Sequence, residues 1–183
     1  MVAHEHVHSE HTGPALNYCP QCGTLLEDRL AFGQVRRYCG ICERVVFREH
    51  KVAVAVLITN ADRELLLVRR ALPPHQGAWS LPAGYVDYGE SPADAGRREC
   101  QEETGLTIEI GQVVDVTSGR EQGNGAHIVI VYEGRIIGGK LHAADDADAA
   151  RFFSRADLPD LAFASTHQAV ARWCEQPAAE KRT

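Results

Sequence analysis

The chain has 183 residues, 44% hydrophobic and 24% charged, with a net charge of −6. That composition is globular and excludes wholesale disorder; the length suits one domain, or one domain with a small module. No run approaches the roughly 20 apolar residues of a membrane-spanning helix, and the first residues lack a basic start followed by an apolar run. No membrane partner and a cytoplasmic location are therefore expected.

The charge is uneven. Residues 16–51 carry six Lys/Arg against four Asp/Glu, whereas residues 52–183 carry 13 against 19. The break near residue 51 marks a candidate boundary. The expected organisation is a tail over 1–15, a small module over 16–50, a larger domain over 51–176 and a second tail over 177–183. In the first tail, His4, His6, His8 and His11 read as part of a flexible terminus or as a metal-scavenging segment.

Cys19-Pro20-Gln21-Cys22 and Cys39-Gly40-Ile41-Cys42 are two C-x2-C turns separated by sixteen residues. Each such turn aims two sulfurs at one point, and a hairpin between them completes a tetrahedron, so the spacing reads as a structural zinc site. Disulfides or a redox pair are the alternatives, and the lack of a secretory signal weighs against the first. Gly23 and Gly40 stand where backbone amides must approach sulfur and a positive φ is often needed. About 35 residues build little core, so the ribbon would depend on its metal.

In the larger domain, Val52–Ile58 is a continuous apolar run that predicts a strand buried on both faces. Asn60–Arg63 reads as a turn and Leu65–Arg69 as the returning strand. After a loop containing Pro73, Pro74 and Gly77, Ser91 is an N-cap with Pro92 at the first helical position and Asp94 completing a capping box. Gly105 stops that helix. Strands are expected over Gln112–Thr117, His127–Glu133 and Ala150–Phe153, and an amphipathic helix over Ser165–Glu175 with Ala169, Val170 and Trp173 on one side. Cys100 and Cys174 fall in helical patterns and read as small buried hydrophobes. Elements of both kinds without strict alternation predict a mixed sheet with helices on both faces.

On the first helix, Glu99, Glu102 and Glu103 stand at i, i+3 and i+4 and share one face, with Ala93, Gly96 and Cys100 turned to the core. Three neighbouring carboxylates repel one another, so the face is either simply solvated or built for a hard divalent cation.

The wider pattern carries more. Gly84, five residues, Glu90, seven residues and then Arg98-Glu99-Cys100-Gln101-Glu102-Glu103-Thr104-Gly105-Leu106 resembles the Nudix box, G-x5-E-x7-R-E-U-x-E-E-x-G-U, at every fixed position, with Cys100 where an aliphatic residue is usual. Flanking Gly77-Ala78-Trp79, Leu81-Pro82-Ala83-Gly84 and Val68-Arg69-Arg70 also look like the family, over residues 52 to about 175. The resemblance implies an α+β fold, a Nudix α/β/α sandwich with a mixed sheet preceded by a small β zinc ribbon. It implies hydrolysis of a nucleoside diphosphate linked to another group. Carried over by position, Glu99, Glu102, Glu103 and the Gly84 carbonyl would ligate magnesium or manganese, and Glu90 would pair with Arg98 to brace the loop. Metals neutralise the pyrophosphate and acidify a bound water, which a carboxylate can deprotonate. That base would be Glu99, Glu102 or a later acid among Glu121, Asp145, Asp146 and Asp148, with Asp148 read as structural.

Arg70, at a position where family members often contact phosphate, and Arg69, on the opposite strand face, are the candidate substrate contacts; a surface ion pair is the alternative for each. Tyr85 and Tyr88 are read first as packing residues and second as base-stacking ones. A zinc ribbon ahead of a Nudix domain resembles two groups. NADH pyrophosphatases carry S-Q-P-W-P-F-P after the box, absent here. Hydrolases of ADP-ribose or FAD carry a stretch similar to Leu158–His167. ADP-ribose or FAD, cleaved to AMP, is therefore the expected substrate. NADH, an RNA end or cap, and a non-catalytic nucleotide sensor are the alternatives. The ribbon's small positive charge argues against nucleic acid; a homodimer is left open.

Overall fold

A computed structural model describes residues 16–118 and 128–175. The N-terminal histidines, Glu121, the expected strand start at His127 and the C-terminal tail lie outside these. The chain divides into two compact units, Met1–Glu49 and His50–Thr183.

The first unit is a three-stranded antiparallel sheet, β1 (Glu27–Ala31), β2 (Gln34–Cys39) and β3 (Arg44–Val45). Phe32 and Gly33, both at positive φ, turn β1 into β2, as a two-residue hairpin that follows the sheet twist requires. Cys19, Leu26, Cys39 and Val46 form a small buried core.

The second unit contains β4 (Val52–Ile58), β5 (Leu65–Arg70), β6 (Trp79–Ser80), β7 (Ala83–Tyr85), α1 (Pro92–Thr104), β8 (Leu106–Thr117), β9 (Ile128–Gly139), β10 (Ala147–Phe153) and α2 (Ala164–Glu175). One sheet runs β7-β4-β9-β8 and the other β10-β5-β6. The β4–β9 pair is parallel and its neighbours are antiparallel, which makes the first sheet mixed. Strand alternation sorts the core into two layers. Ala55 and Leu57 of β4 pack with Leu65, Leu67 and the α2 residues Ala169, Val170 and Trp173. Val56 and Ile58 pack with Leu66, Leu106, Ile108 and Cys100 of α1. One helix thus covers each face.

Three strands are longer than expected, for reasons of packing. Gly111 separates two apolar stretches of β8, and register shifts on either side of it let both pair with β9. Gly134 looks like the end of β9, but a side chain there would overlap Val56 and Ile58; it marks a close approach inside the strand. β10 begins at Ala147 through an irregularity before Ala149. On α1 the core face is carried by Ala95, Gly96 and Cys100, while Ala93 is half-buried.

Trp173, almost fully buried beneath β4 and β5, is the largest side chain holding α2 to the sheet. Trp173→Ala should cost about 3–5 kcal/mol, read as a shift in the urea unfolding midpoint.

Candidate functional site

Helix α1 is capped as its sequence dictates. Ser91 accepts from the Asp94 amide at 3.1 Å. Asp94 answers differently from a capping box: its carboxylate accepts from the Ser91 hydroxyl at 2.7 Å and from Arg97 at 2.6 Å. Gly105, at φ 66, returns its N–H to Gln101. These fixed ends set which residues of the helix face β7.

The three glutamates grade from solvent to core. The Glu102 side chain is 46% exposed and that of Glu99 13%, and Glu103 is buried. The Ala83 amide donates to Glu103 Oε2 at 3.0 Å. Beside it, the Glu99 carboxylate lies so close to the Gly84 backbone that any Cβ at 84 would overlap it. This is a position where only glycine lets backbone and carboxylate share one volume. Asp146, immediately before β10, abuts Glu103. Burial first, and Asp146 second, push the Glu103 carboxyl up to about 9; burial also raises Glu99, against the pull of Arg98.

Arg98 ties the cluster together. Its Nε and Nη2 donate to the two oxygens of Glu90, each at 3.0 Å. Nη1 donates to Glu99 at 2.7 Å and to Glu102 at 3.0 Å, and Nη2 reaches the Tyr85 carbonyl at 2.9 Å. The fork geometry of guanidinium makes this possible, where a lysine would supply a point charge. Arg98 also holds the Glu90 carboxyl below its usual range.

The other candidates separate. Among the later acids, Asp146 joins the glutamates, whereas Asp148 pairs with Arg69 at 2.6 Å and Asp145 is exposed. Alternation puts Arg69 with Leu65 and Leu67, and it lies over Trp79 at 5.9 Å. Arg70 shares the α1 face with Leu66; its Nε donates to the Pro74 carbonyl at 2.7 Å and its guanidinium covers Phe163 at 4.9 Å. The backbone links Arg70 to the acids, because the Ala71 amide donates to the Asp146 carbonyl at 2.8 Å. Tyr85 and Tyr88 are exposed rather than packed, so the first reading of both is corrected. The neighbourhood of Asp146 could not be read from its adjacent acids alone; strand register, which sets it beside Ala71, singles it out.

In the ribbon, the four sulfurs of Cys19, Cys22, Cys39 and Cys42 lie within 4.8 Å of one another, with Cys22–Cys39 at 3.5 Å and Cys19–Cys42 at 3.9 Å. Sulfurs tetrahedrally placed around zinc at about 2.3 Å are roughly 3.8 Å apart, so the cluster fits that ion. The first turn uses Gly23 at φ 72 as expected. Gly40 is not at positive φ; in the second turn Glu43, at φ 51, takes the position equivalent to Gly23.

These features place the molecule in a family of known architecture. The NUDIX domain model matches residues 49–174, and the chain belongs to that family. An ADP-ribose pyrophosphatase of Methanocaldococcus jannaschii is 39% identical over 107 residues, 58% of this chain and 63% of that protein. An 8-oxo-dGDP phosphatase of Mus musculus is 34% identical over 112 residues, 59% of this chain and 33% of its own length. The chain thus spans less than two thirds of either relative. A NUDIX hydrolase crystal structure from Nitrosomonas europaea superposes with a TM-score of 0.74 at 25% identity, over 90% of this chain and 97% of that one.

Arg98→Ala should lower the midpoint of thermal unfolding by several degrees, because it leaves Glu90, Glu99 and Glu102 without their shared partner. Differential scanning calorimetry reads this directly. An unchanged midpoint would show that the bracing is energetically idle.

Proposed function

We propose that this chain hydrolyses the pyrophosphate link of a nucleoside diphosphate joined to another group, with ADP-ribose as the foremost substrate. The carboxylate face of α1, set against Gly84 and beside Asp146, carries the reading. Its donor set is all oxygen, partly buried and rich in negative charge, which suits magnesium or manganese. Glu99, Glu102, Glu103 and the Gly84 carbonyl would hold the metal. A bound divalent cation supplies neutralisation of phosphate charge and a water of lowered pKa. Glu90 and Arg98 keep the loop before α1 against the helix, so the carboxylates are positioned before substrate arrives. Arg70 would meet a substrate phosphate. A carboxylate of the group, Glu99, Glu102 or Asp146, takes the water's proton. Water's oxygen bonds one phosphorus, the bridging oxygen leaves with the other, and ADP-ribose yields AMP and ribose 5-phosphate.

The archaeal relative's name and the Leu158–His167 stretch support ADP-ribose. A second reading, FAD cleaved to AMP and FMN, is favoured by the exposed Tyr85 and Tyr88 rings beside Gly84, which offer stacking area for a flat ring system. The test is an assay of ADP-ribose, FAD, NADH and oxidised nucleoside di- and triphosphates with magnesium or manganese, products identified by mass. ADP-ribose should be preferred, and Glu102→Gln should lose about a hundredfold or more in turnover. A preference for NADH or for an oxidised nucleoside di- or triphosphate would overturn the substrate; a fully active Glu102→Gln would overturn the metal assignment.

We further propose that the four ribbon cysteines hold one structural zinc. Plasma emission spectrometry should find about one zinc per chain, absent in Cys39→Ser.

A further inference from the structure

The ribbon sheet has two unlike faces. Cys39 and Val46 lie on the face that closes over the cysteine cluster. On the opposite face, the register sets Arg29 directly against Arg36. The Tyr38–Val45 pair and the Val46 amide, bonded to the Arg37 carbonyl, continue the ladder so that Phe47 comes opposite Arg36. The Arg36 guanidinium lies over the Phe47 ring at 5.3 Å, and that of Arg29 over Tyr38 at 3.6 Å. Phe32 stacks on Phe47, centroids 6.3 Å apart and planes 20° apart.

An ordinary solvated face does not account for this row. Like charges directly opposite on a sheet are unfavourable, and of the two arginines Arg29 has a carboxylate partner, Glu27 at 2.9 Å, while Arg36 donates through Nε to the Ala31 carbonyl. Phe32 is 79% exposed and Phe47 57%. Phe32 also sits at φ 53, a turn position that favours Asn or Gly and penalises a bulky ring. Two exposed, mutually stacked aromatic rings beside two adjacent guanidinium groups match a ligand that is both flat and anionic.

We propose that this face binds single-stranded nucleic acid, with bases stacking on Phe32 and Phe47 and backbone phosphates meeting Arg29 and Arg36. Stacking on exposed aromatics next to basic side chains is how single strands are held without sequence readout. An apolar protein partner would have to desolvate two neighbouring guanidinium groups without pairing them. Charge complementarity points the same way, since this face carries Arg29 and Arg36 against one carboxylate, Glu27. The ribbon's small net charge counts against a duplex-binding surface; it does not count against two phosphates held locally.

The test uses the full-length protein and short labelled oligouridine and oligothymidine, read by fluorescence anisotropy. Both should bind, because neither stacking nor phosphate contact reads the 2′-hydroxyl. With two phosphate contacts, affinity should fall about sevenfold between about 50 and 200 mM salt. Phe47→Ala should weaken binding about tenfold, and the double substitution Arg29→Gln, Arg36→Gln should flatten the salt dependence. Both variants should keep their metal content and their hydrolysis rate, which separates this site from the α1 carboxylates and reports folding. A duplex of equal length should compete poorly. Absence of binding to either strand at low salt, binding unaffected by both variants, or equal competition by duplex would overturn the inference. So would a dimer, seen by sedimentation equilibrium, that Phe47→Ala dissociates, since the face would then belong to a second copy.

Discussion

The Arg98 guanidinium holds Glu90, Glu99 and Glu102 at once, and the arrangement of the larger unit around α1 depends on it. Two unit charges about 4 Å apart near a protein surface interact by about 4 kcal/mol. Several carboxylates at one end of one helix would therefore cost more than helix propensity can return. One guanidinium cannot neutralise them all. The remainder is met in another way: Glu103 is buried with a raised pKa and an amide donor. The same repulsion that the fold must contain makes the face suited to a divalent cation. Stability and chemistry here draw on one electrostatic imbalance, which is why Arg98 and Glu102 should respond differently to substitution.

Helix α1 was legible in the sequence almost residue by residue because its determinants are local. Ser91, Pro92 and Gly105 each act on backbone within a few positions. The i, i+3, i+4 carboxylates follow from helix geometry alone. The C-x2-C pairs were legible for the same reason. What the sequence concealed is long-range. Gly134 reads as a strand end until Val56 and Ile58 are seen to press against it. Asp146 reads like Asp145 until the β5–β10 register sets it beside Ala71 and the helix. Tyr85 and Tyr88 read as packing residues because aromatic rings usually are, yet both stand exposed on the segment that carries Gly84.

The comparisons divide along the same line. The archaeal and murine relatives carry names with different substrates. The groups that would grip a pyrophosphate are set by the helix and its preceding loop. The groups that would choose what the pyrophosphate is attached to are Phe163, the loop that carries Pro74 and, on the segment before α1 itself, the two exposed tyrosines, with Arg70 meeting the phosphate between them. His75 packs edge-on against Phe163 at 5.1 Å, so a substitution in either loop would shift the ring that lies under Arg70. Substrate choice in such a site can diverge by changing loops while the helix that carries the carboxylates stays as it is.

Net charge, useful for bounding the whole molecule, is a poor guide to the ribbon. It sums Asp28 and Arg37, which pair with each other on one face of the sheet, with Arg29 and Arg36, which stand together on the other. On the first face that pair cancels, while on the second Glu27 pairs with Arg29 and Arg36 adds a further cation over the Phe47 ring. At physiological salt a charge is felt over about 8 Å, less than the span of the ribbon sheet, so an anion near the second face responds to Glu27, Arg29 and Arg36 rather than to the total. Strand alternation, which separates residues adjacent in sequence onto opposite surfaces, is what turns a nearly neutral segment into one with a basic aromatic face.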